Sequence, residues 1–146
     1  MLKLRAFTLI ELLISIAIIS IIATVAIPSY VTNIREAKTS EAIEALQFVM
    51  QAQERYYGDS STYSIDLKEL GYTDETTTST GGLYEITASL CAAAVPATQC
   101  IQLVAEPVRD SGQEESGDFG LNSRGEKWRD LPPEGDGTEK VRIDSW

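Results

Sequence analysis

The stretch FTLIELLISIAIISIIATVAI, from Phe7 to Ile27, holds 21 residues and a single charge, Glu11. A helix needs about 20 apolar residues to cross a hydrocarbon core about 30 Å thick, so the run predicts a membrane-crossing helix. Lys3 and Arg5 lie just before it. Basic residues stay on the cytoplasmic side, which places the amino terminus inside and sends the chain outward. A secretory signal has a shorter apolar core of about 7–15 residues and an A-x-A-like cleavage site. Ala23–Ala26 imitate such a site loosely, but Pro28 and the helical pattern beyond it speak against release. A plain anchor accounts for everything in the run except Glu11. An ionisable group at that depth costs roughly 2–3 kcal/mol on insertion scales. No basic residue lies within the run, so its partner is sought in a chain terminus, another molecule or a proton.

Working outward, Pro28 lacks an N–H and its ring crowds the preceding turn, which predicts a kink near Thr24–Pro28. Beyond it, Ala42, Ala45, Val49, Ala52 and Tyr56 recur at helical spacing, with Ile43, Leu46, Met50 and Tyr57 beside them. Arg35, Glu36, Lys38, Glu41, Glu44 and Glu54 take the other faces. The pattern predicts one kinked helix from Phe7 to Tyr57, with Gly58 as its C-cap. Residues 58–82 read as a Ser- and Thr-rich loop anchored by Leu67 and Leu70. Strand signals follow at Leu83–Ser89, Ile101–Pro107 and Phe119–Asn122. Ser123-Arg124-Gly125 offers a turn into Glu126–Trp128, and Val141–Trp146 reads as an edge strand. Asp110–Gly117 and Leu131–Thr138 read as acidic, Gly-rich loops.

The chain has 146 residues, 22 acidic and 12 basic, for a net charge of −10. That length fits one domain with an added helix. The excess lies past Gly58, with 17 acidic against 7 basic residues, while residues 1–57 carry 5 of each. Such a charge opposes phosphate-backbone binding, so no nucleic-acid partner is favoured. Tyr56, Tyr57, Tyr63 and Tyr72 read as packing rather than as a base-stacking platform. There is no histidine, which removes the usual general base, the His-activated nucleophiles and the imidazole metal ligand. No enzyme site is recognisable. Cys91 and Cys100 form an even pair in a segment placed outside the cytoplasm, which predicts a structural disulfide. Closing a ring of about ten residues is worth on the order of 2.5–3 kcal/mol. The spacing is not C-x-x-C, which sets a redox-active role aside. Glu134–Glu139 offers oxygen ligands but lacks the D-x-[DN]-x-[DN]-G spacing, so it reads as a solvated loop. Neither metal nor cofactor is predicted.

The segment AFTLIELLISIAIISIIATVAIPSY, Ala6–Tyr30, resembles the amino-terminal signature of type IV pilins and related pseudopilins. The resemblance implies that a prepilin peptidase cuts between Ala6 and Phe7 and methylates the new amine. Glu11 then becomes the fifth mature residue and pairs with the amino terminus of a neighbouring subunit. Where the family has glycine before the cut, this chain has Ala6. Gln53–Tyr57, Tyr63, Leu70–Tyr72, Tyr84 and Phe119–Gly125 are similar to the head of PilE-type minor pilins. That group often has a cysteine where Asp118 stands here, and another near the carboxyl end.

The implied fold is α+β, one long kinked helix packed on a small antiparallel sheet of about three to four strands. The implied organisation is a leader over 1–6, a transmembrane and assembly helix over 7–28, and a periplasmic head over 29–146. The head divides into helix 29–57, loop 58–82 and sheet region 83–146. The implied function is a structural subunit of a type IV pilus, a minor one by the head resemblance, serving pilus biogenesis, twitching motility or adhesion. Its partners would be other pilin subunits, the peptidase, the inner-membrane assembly machinery and, before assembly, the membrane itself. A pseudopilin of a type II secretion system is the alternative, and a tethered, non-polymerising binding module the third.

Overall fold

A single helix, α1, runs from Leu9 to Ser60 with Pro28 inside it. The computed structural model describes residues 8–132, 141–144 and 146. These form two compact parts, one reaching Ile34 and one beginning at Arg35. Helix α1 does not end at Pro28. It also continues past the expected stop at Gly58: Ser61, not the glycine, takes the positive φ of 57°, and its N–H closes the last turn onto Tyr57 O at 2.8 Å. Ser60 Oγ donates to Tyr56 O at 2.7 Å. These serine hydrogen bonds carry the helix two residues beyond Gly58, around which a side chain would meet open space.

The second part of α1 is one wall of a hydrophobic core. Ala42, Leu46 and Val49 are buried at i, i+4, i+7 spacing, with Ile43, Ala45 and Met50 packed beside them. They face a six-stranded antiparallel meander: β1 Thr77–Thr78, β2 Tyr84–Leu90, β3 Ile101–Pro107, β4 Asp118–Asn122, β5 Lys127–Leu131 and β6 Val141–Ile143. The expected three to four strands were too few. Strand β1 lies in a threonine run with no apolar alternation to mark it, yet Thr77 pairs with Ile86 and Thr78 with Glu85. Strand β5 runs on to Leu131, where Asp130 pairs with Arg142 of β6. Between α1 and β1, Leu67–Leu70 makes one 3-10 turn, capped by Asp66 and ended by Gly71 at φ 98°. Asp110–Gly117, expected as plain loop, contains a second such turn at Glu114–Ser116.

Alternation sorts the strands into two faces. Tyr84, Ile86, Leu103, Ala105, Phe119 and Leu121 join α1 in the core, together with Leu67. Fully burying a side chain of this size contributes roughly 1.5–3 kcal/mol. Tyr84 is wholly buried, meets Phe119 edge-on at 5.9 Å, and donates from Oη to Gln113 Oε1 at 3.3 Å. A carboxylate ties the hairpin between β1 and β2 to the helix: Glu41 Oε2 accepts from Ser79 Oγ and Gly81 N, both at 3.0 Å. On the opposite face, Gly120 pairs with Trp128 across β4 and β5. A Cβ on Gly120 would come within 1.9 Å of the indole, so Trp128 lies flat on the strand where glycine leaves room.

Gly120→Ala must therefore displace a buried indole, and overpacking of this kind costs about 1–3 kcal/mol. A melt of the full chain in detergent should show the head transition falling by roughly 10 °C. An unchanged midpoint would mean that Trp128 moves aside freely. Burial raises the Tyr84 phenol above its ordinary value. The folded state thus favours the neutral phenol, a contribution fully present below about pH 10 and lost as pH rises through the folded value. The midpoint should hold steady up to about pH 10 and fall above it, and Tyr84→Phe should shallow that fall.

Candidate functional site

The start of α1 carries the residue that the sequence left without a partner. The expected cut between Ala6 and Phe7 lies outside the described residues, as do the Glu134–Glu139 loop and the leader basic residues. Thr8 immediately precedes the first helical residue, and Glu11 stands in the first turn. Thr8 N and Thr8 Oγ1 both donate to Glu11 Oε2, at 2.9 and 2.8 Å. In return, Glu11 N donates to Thr8 Oγ1 at 3.3 Å. This is a reciprocal capping box, each residue satisfying an amide that the helix cannot. Glu11 therefore has a partner in its own chain, one overlooked when only charge was considered. The Thr8-x-x-Glu11 spacing was the available signal.

Along the rest of this part, polar side chains turn inward on their own backbone. Ser15 Oγ donates to Glu11 O, Ser20 Oγ to Ile16 O and Thr24 Oγ1 to Ile21 O, each at 2.7 Å. With the hydroxyls so occupied, the surface is nearly all hydrocarbon. Every leucine and isoleucine from Leu9 to Ile27 is at least half exposed, from 51 to 75%. The helix is long and apolar enough to cross a membrane by length and composition. Ala17, Ser20, Ala23 and Ala26 interrupt the bulky surface with small side chains that permit close helix approach. Glu11 and Pro28 are separated by about 25 Å of helix at 1.5 Å per residue, so they do not form one site.

The second feature is the loop between β2 and β3. Cys91 and Cys100 are bonded, as expected, with Cα atoms 5.7 Å apart. The bridge closes the hairpin at its root, directly after β2 and before β3. The end of α1 holds the loop from one side: Tyr57 Oη donates to Thr98 O at 3.2 Å, and Tyr63 N to Ala97 O at 3.1 Å. The rings of Tyr57 and Tyr63 stack on each other at 4.5 Å. Burial, then the Tyr63 Oη hydrogen bond to Glu54, raises the Tyr63 phenol. Gln53 was missed: it occupies an apolar-stripe position, fully buried, and pairs with Ser64 through N–H···O bonds of 2.6 and 3.0 Å. Beside the loop, a concavity of about 700 Å³ is lined by Val95, Asn122, Arg124, Trp128 and Arg142 among others. Its cations are partly engaged, since Arg142 makes two 2.8 Å bonds to Asp130.

Comparison with known proteins places these features. Residues 1–27 match the family described as "Prokaryotic N-terminal methylation motif". Residues 28–118 match the family described as "Type IV minor pilin ComP, DNA uptake sequence receptor". Over 71 residues the chain is 39% identical to "Type IV major pilin protein PilA" of Myxococcus xanthus (strain DK1622), covering 49% of this chain and 32% of that protein. Over 62 residues it is 39% identical to "Fimbrial protein EcpC" of Eikenella corrodens, covering 42% of this chain and 40% of that protein. The matches thus span well under half the length of either relative.

Replacing both Cys91 and Cys100 by serine should cost about 2.5–3 kcal/mol of head stability. Because Tyr63 N donates into the bridged loop, its amide should exchange with solvent faster in the same variant. Hydrogen exchange of the full chain in detergent checks both effects. An unchanged Tyr63 amide would show that the tyrosines hold the loop without the bridge.

Proposed function

The chain belongs to the type IV pilins, in the family described as type IV minor pilin ComP, and from that premise we propose that it is a minor structural subunit of a type IV pilus. The observation that carries this reading is the exposed apolar face of α1, headed by a capped glutamate within a methylation motif. In the mechanism proposed, the precursor spans the inner membrane with Lys3 and Arg5 inside and the head, from residue 29 on, in the periplasm. The peptidase cuts between Ala6 and Phe7 and the new amine is methylated. Glu11 then accepts a neighbour's Phe7 amine as α1 leaves lipid for a bundle of like helices. Pro28, whose ring removes one backbone hydrogen bond, is the point at which the helix yields during this transfer. The finished subunit stands in an extracellular fibre that serves biogenesis, twitching or adhesion.

The DNA role in the matched family's description is not carried over. Residues 28–118, the matched segment, contain 5 basic and 15 acidic residues, a charge that repels a phosphate backbone. The cations Arg124, Lys127 and Arg142 lie beyond that segment, and Lys127 stands over the Trp146 ring at 4.3 Å.

Mass spectrometry of fibres sheared from native cells tests the reading. A peptide beginning at methylated Phe7, in small amount beside other subunits, is the expected result, and a dominant amount would make this a major subunit. Processed chains in membranes but none in fibres would favour the secretion pseudopilin, and retention of Met1 everywhere would overturn both. Glu11→Ala should lower incorporation severalfold while leaving the head melt unchanged; normal incorporation would sink the charge-pairing step.

A further inference from the structure

The concavity beside the disulfide loop, about 700 Å³ in volume, has no part in the assembly described above. Its size falls within the range of small-molecule sites, about 300–1,000 Å³. Residues directly opposite in paired strands share a face, and neighbours along a strand alternate. Gln102 pairs with Asn122, Gly120 with Trp128 and Asp130 with Arg142. Leu103, Leu121 and Phe119, one position away, turn to the core against α1. The concavity therefore opens on the face of the sheet turned away from the helix. Its walls are fixed by the fold itself. The Cys91–Cys100 bridge closes the loop that carries Ala92 and Val95, and Val95 N donates to Ala92 O at 2.9 Å. On the β4–β5 side, Asn122 Oδ1 accepts from Arg124 N and Glu126 N, both at 3.0 Å, which holds the turn. Arg142 is held twice, with its guanidinium over the Trp128 ring at 5.1 Å and bonded to Asp130 through Nε and Nη2. Of the five N–H groups of a guanidinium, three are thus left with no acceptor among the described residues.

The charges around the concavity cancel. Arg124 and Arg142 are matched by Glu126 and Asp144. Lys127 also borders it, but the register sets Lys127 opposite Leu121 on the helix side, and its ammonium stands over the Trp146 ring at 4.3 Å. A balanced rim draws in neither a polyanion nor a polycation. It suits a ligand whose groups both donate and accept, because guanidinium groups only donate, carboxylates only accept, and a hydroxyl does both. Gln102 adds an amide whose Nε2 donates to Ser89 Oγ at 3.1 Å and whose oxygen has no donor among the described residues. Ala92 and Val95 supply an apolar wall that the C–H face of a sugar ring can cover. We propose that this concavity binds a neutral saccharide, its hydroxyls accepting from Arg124 and Arg142 and donating to Glu126 and Asp144. Because the loop and turn are already fixed, little ordering opposes binding. The site uses the sheet face that α1 leaves open and does not depend on polymerisation.

The experiment uses the full chain purified in a detergent without a sugar headgroup, so it reads binding whether or not the chain enters fibres. The probes are neutral oligosaccharides of glucose, galactose and N-acetylhexosamines, with a uronate oligomer and a short duplex DNA as charged comparators. The Trp128 indole N–H, followed by NMR, reports the site. At least one neutral oligosaccharide should shift that signal saturably at millimolar concentration. Arg124→Ala and Asp144→Ala should each weaken binding about fivefold, the effect of one lost hydrogen bond, with the head melt unchanged because both side chains are exposed. Arg55→Ala, beside a different concavity, should bind as wild type does. No shift with any neutral probe would overturn the proposal. So would a shift produced only by the uronate or the DNA, which would mark a site for anions. Binding that survives Arg124→Ala and Asp144→Ala combined would place the saccharide elsewhere and overturn it too.

Discussion

A helix that is apolar around its whole circumference is not stable in water, and one with a charged face is not stable in lipid. Helix α1 is the first kind over Leu9–Ile27 and the second kind beyond Arg35. Eleven leucine and isoleucine side chains in the first part stand at least half exposed. Covering them is worth on the order of 10 kcal/mol, comparable to the whole stability of a typical domain. No rearrangement of the head could compensate for leaving them in water. They have to be covered by lipid or by other helices. Between those two environments the hydrophobic term nearly cancels, because lipid tails are as apolar as leucine. What remains to decide between membrane and bundle is close packing at small residues and the placing of polar groups. On the assembly proposed above, that gives Glu11 a weight beyond that of a single residue.

The second half of the helix meets the opposite requirement, and the head is arranged around it. One stripe, Ala42, Leu46 and Val49, closes the core against β2, β3 and β4. The flanking polar positions fasten loops to the same helix. Glu41 holds the hairpin between β1 and β2, Gln53 holds the turn at Ser64, and Tyr57 holds the disulfide loop. Three separate stretches of chain are thus tied to one helix by hydrogen bonds, the Gln53–Ser64 pair buried and the Tyr57–Thr98 contact exposed. Arg35 adds an ion pair to Glu115, but with Glu115 largely exposed such a contact contributes little.

The elements legible in the sequence were those built from apolar periodicity. Strand β3 was read at Ile101–Pro107 and is found there, because Ile101, Leu103 and Ala105 alternate with Gln102, Val104 and Glu106 in a run rich in β-branched and apolar residues. Of the stripe expected on α1, Ala42, Val49 and Ala52 are buried; Leu46, expected beside it, is buried too, and so is Gln53, a polar residue at a position where apolar periodicity gives no signal. Strand β1 had no period to show; its two threonines are strand only because β2 lies beside them. The helix end was misplaced for a related reason. Gly58 permits a left-handed turn, but permission does not compel one, and hydrogen bonds from Ser60 and Ser61 moved the stop. At the candidate site, the carboxylate's cost was legible and its nearest partner was not sought among neutral residues. A desolvated carboxylate needs donors, and a threonine three residues earlier supplies two.

The distribution of charge bears on how such a subunit is used. From Arg35 onward the chain has 10 basic and 21 acidic residues, so almost all of the repulsion belongs to the head and none of it is relieved by the apolar helix. Exposed charges in water are screened beyond about 8 Å at physiological ionic strength, which protects heads that stand well apart but not heads packed in contact. A fibre made of this chain alone would bring like-charged heads together at every step, and self-repulsion of that kind opposes compaction. Interspersed among subunits of lower charge, the same head has unlike neighbours and the penalty falls with dilution, while the apolar helix and its capped glutamate still fit the common bundle. The acidic head is thus consistent with the minor-subunit role proposed above, in which it stands among subunits of other charge.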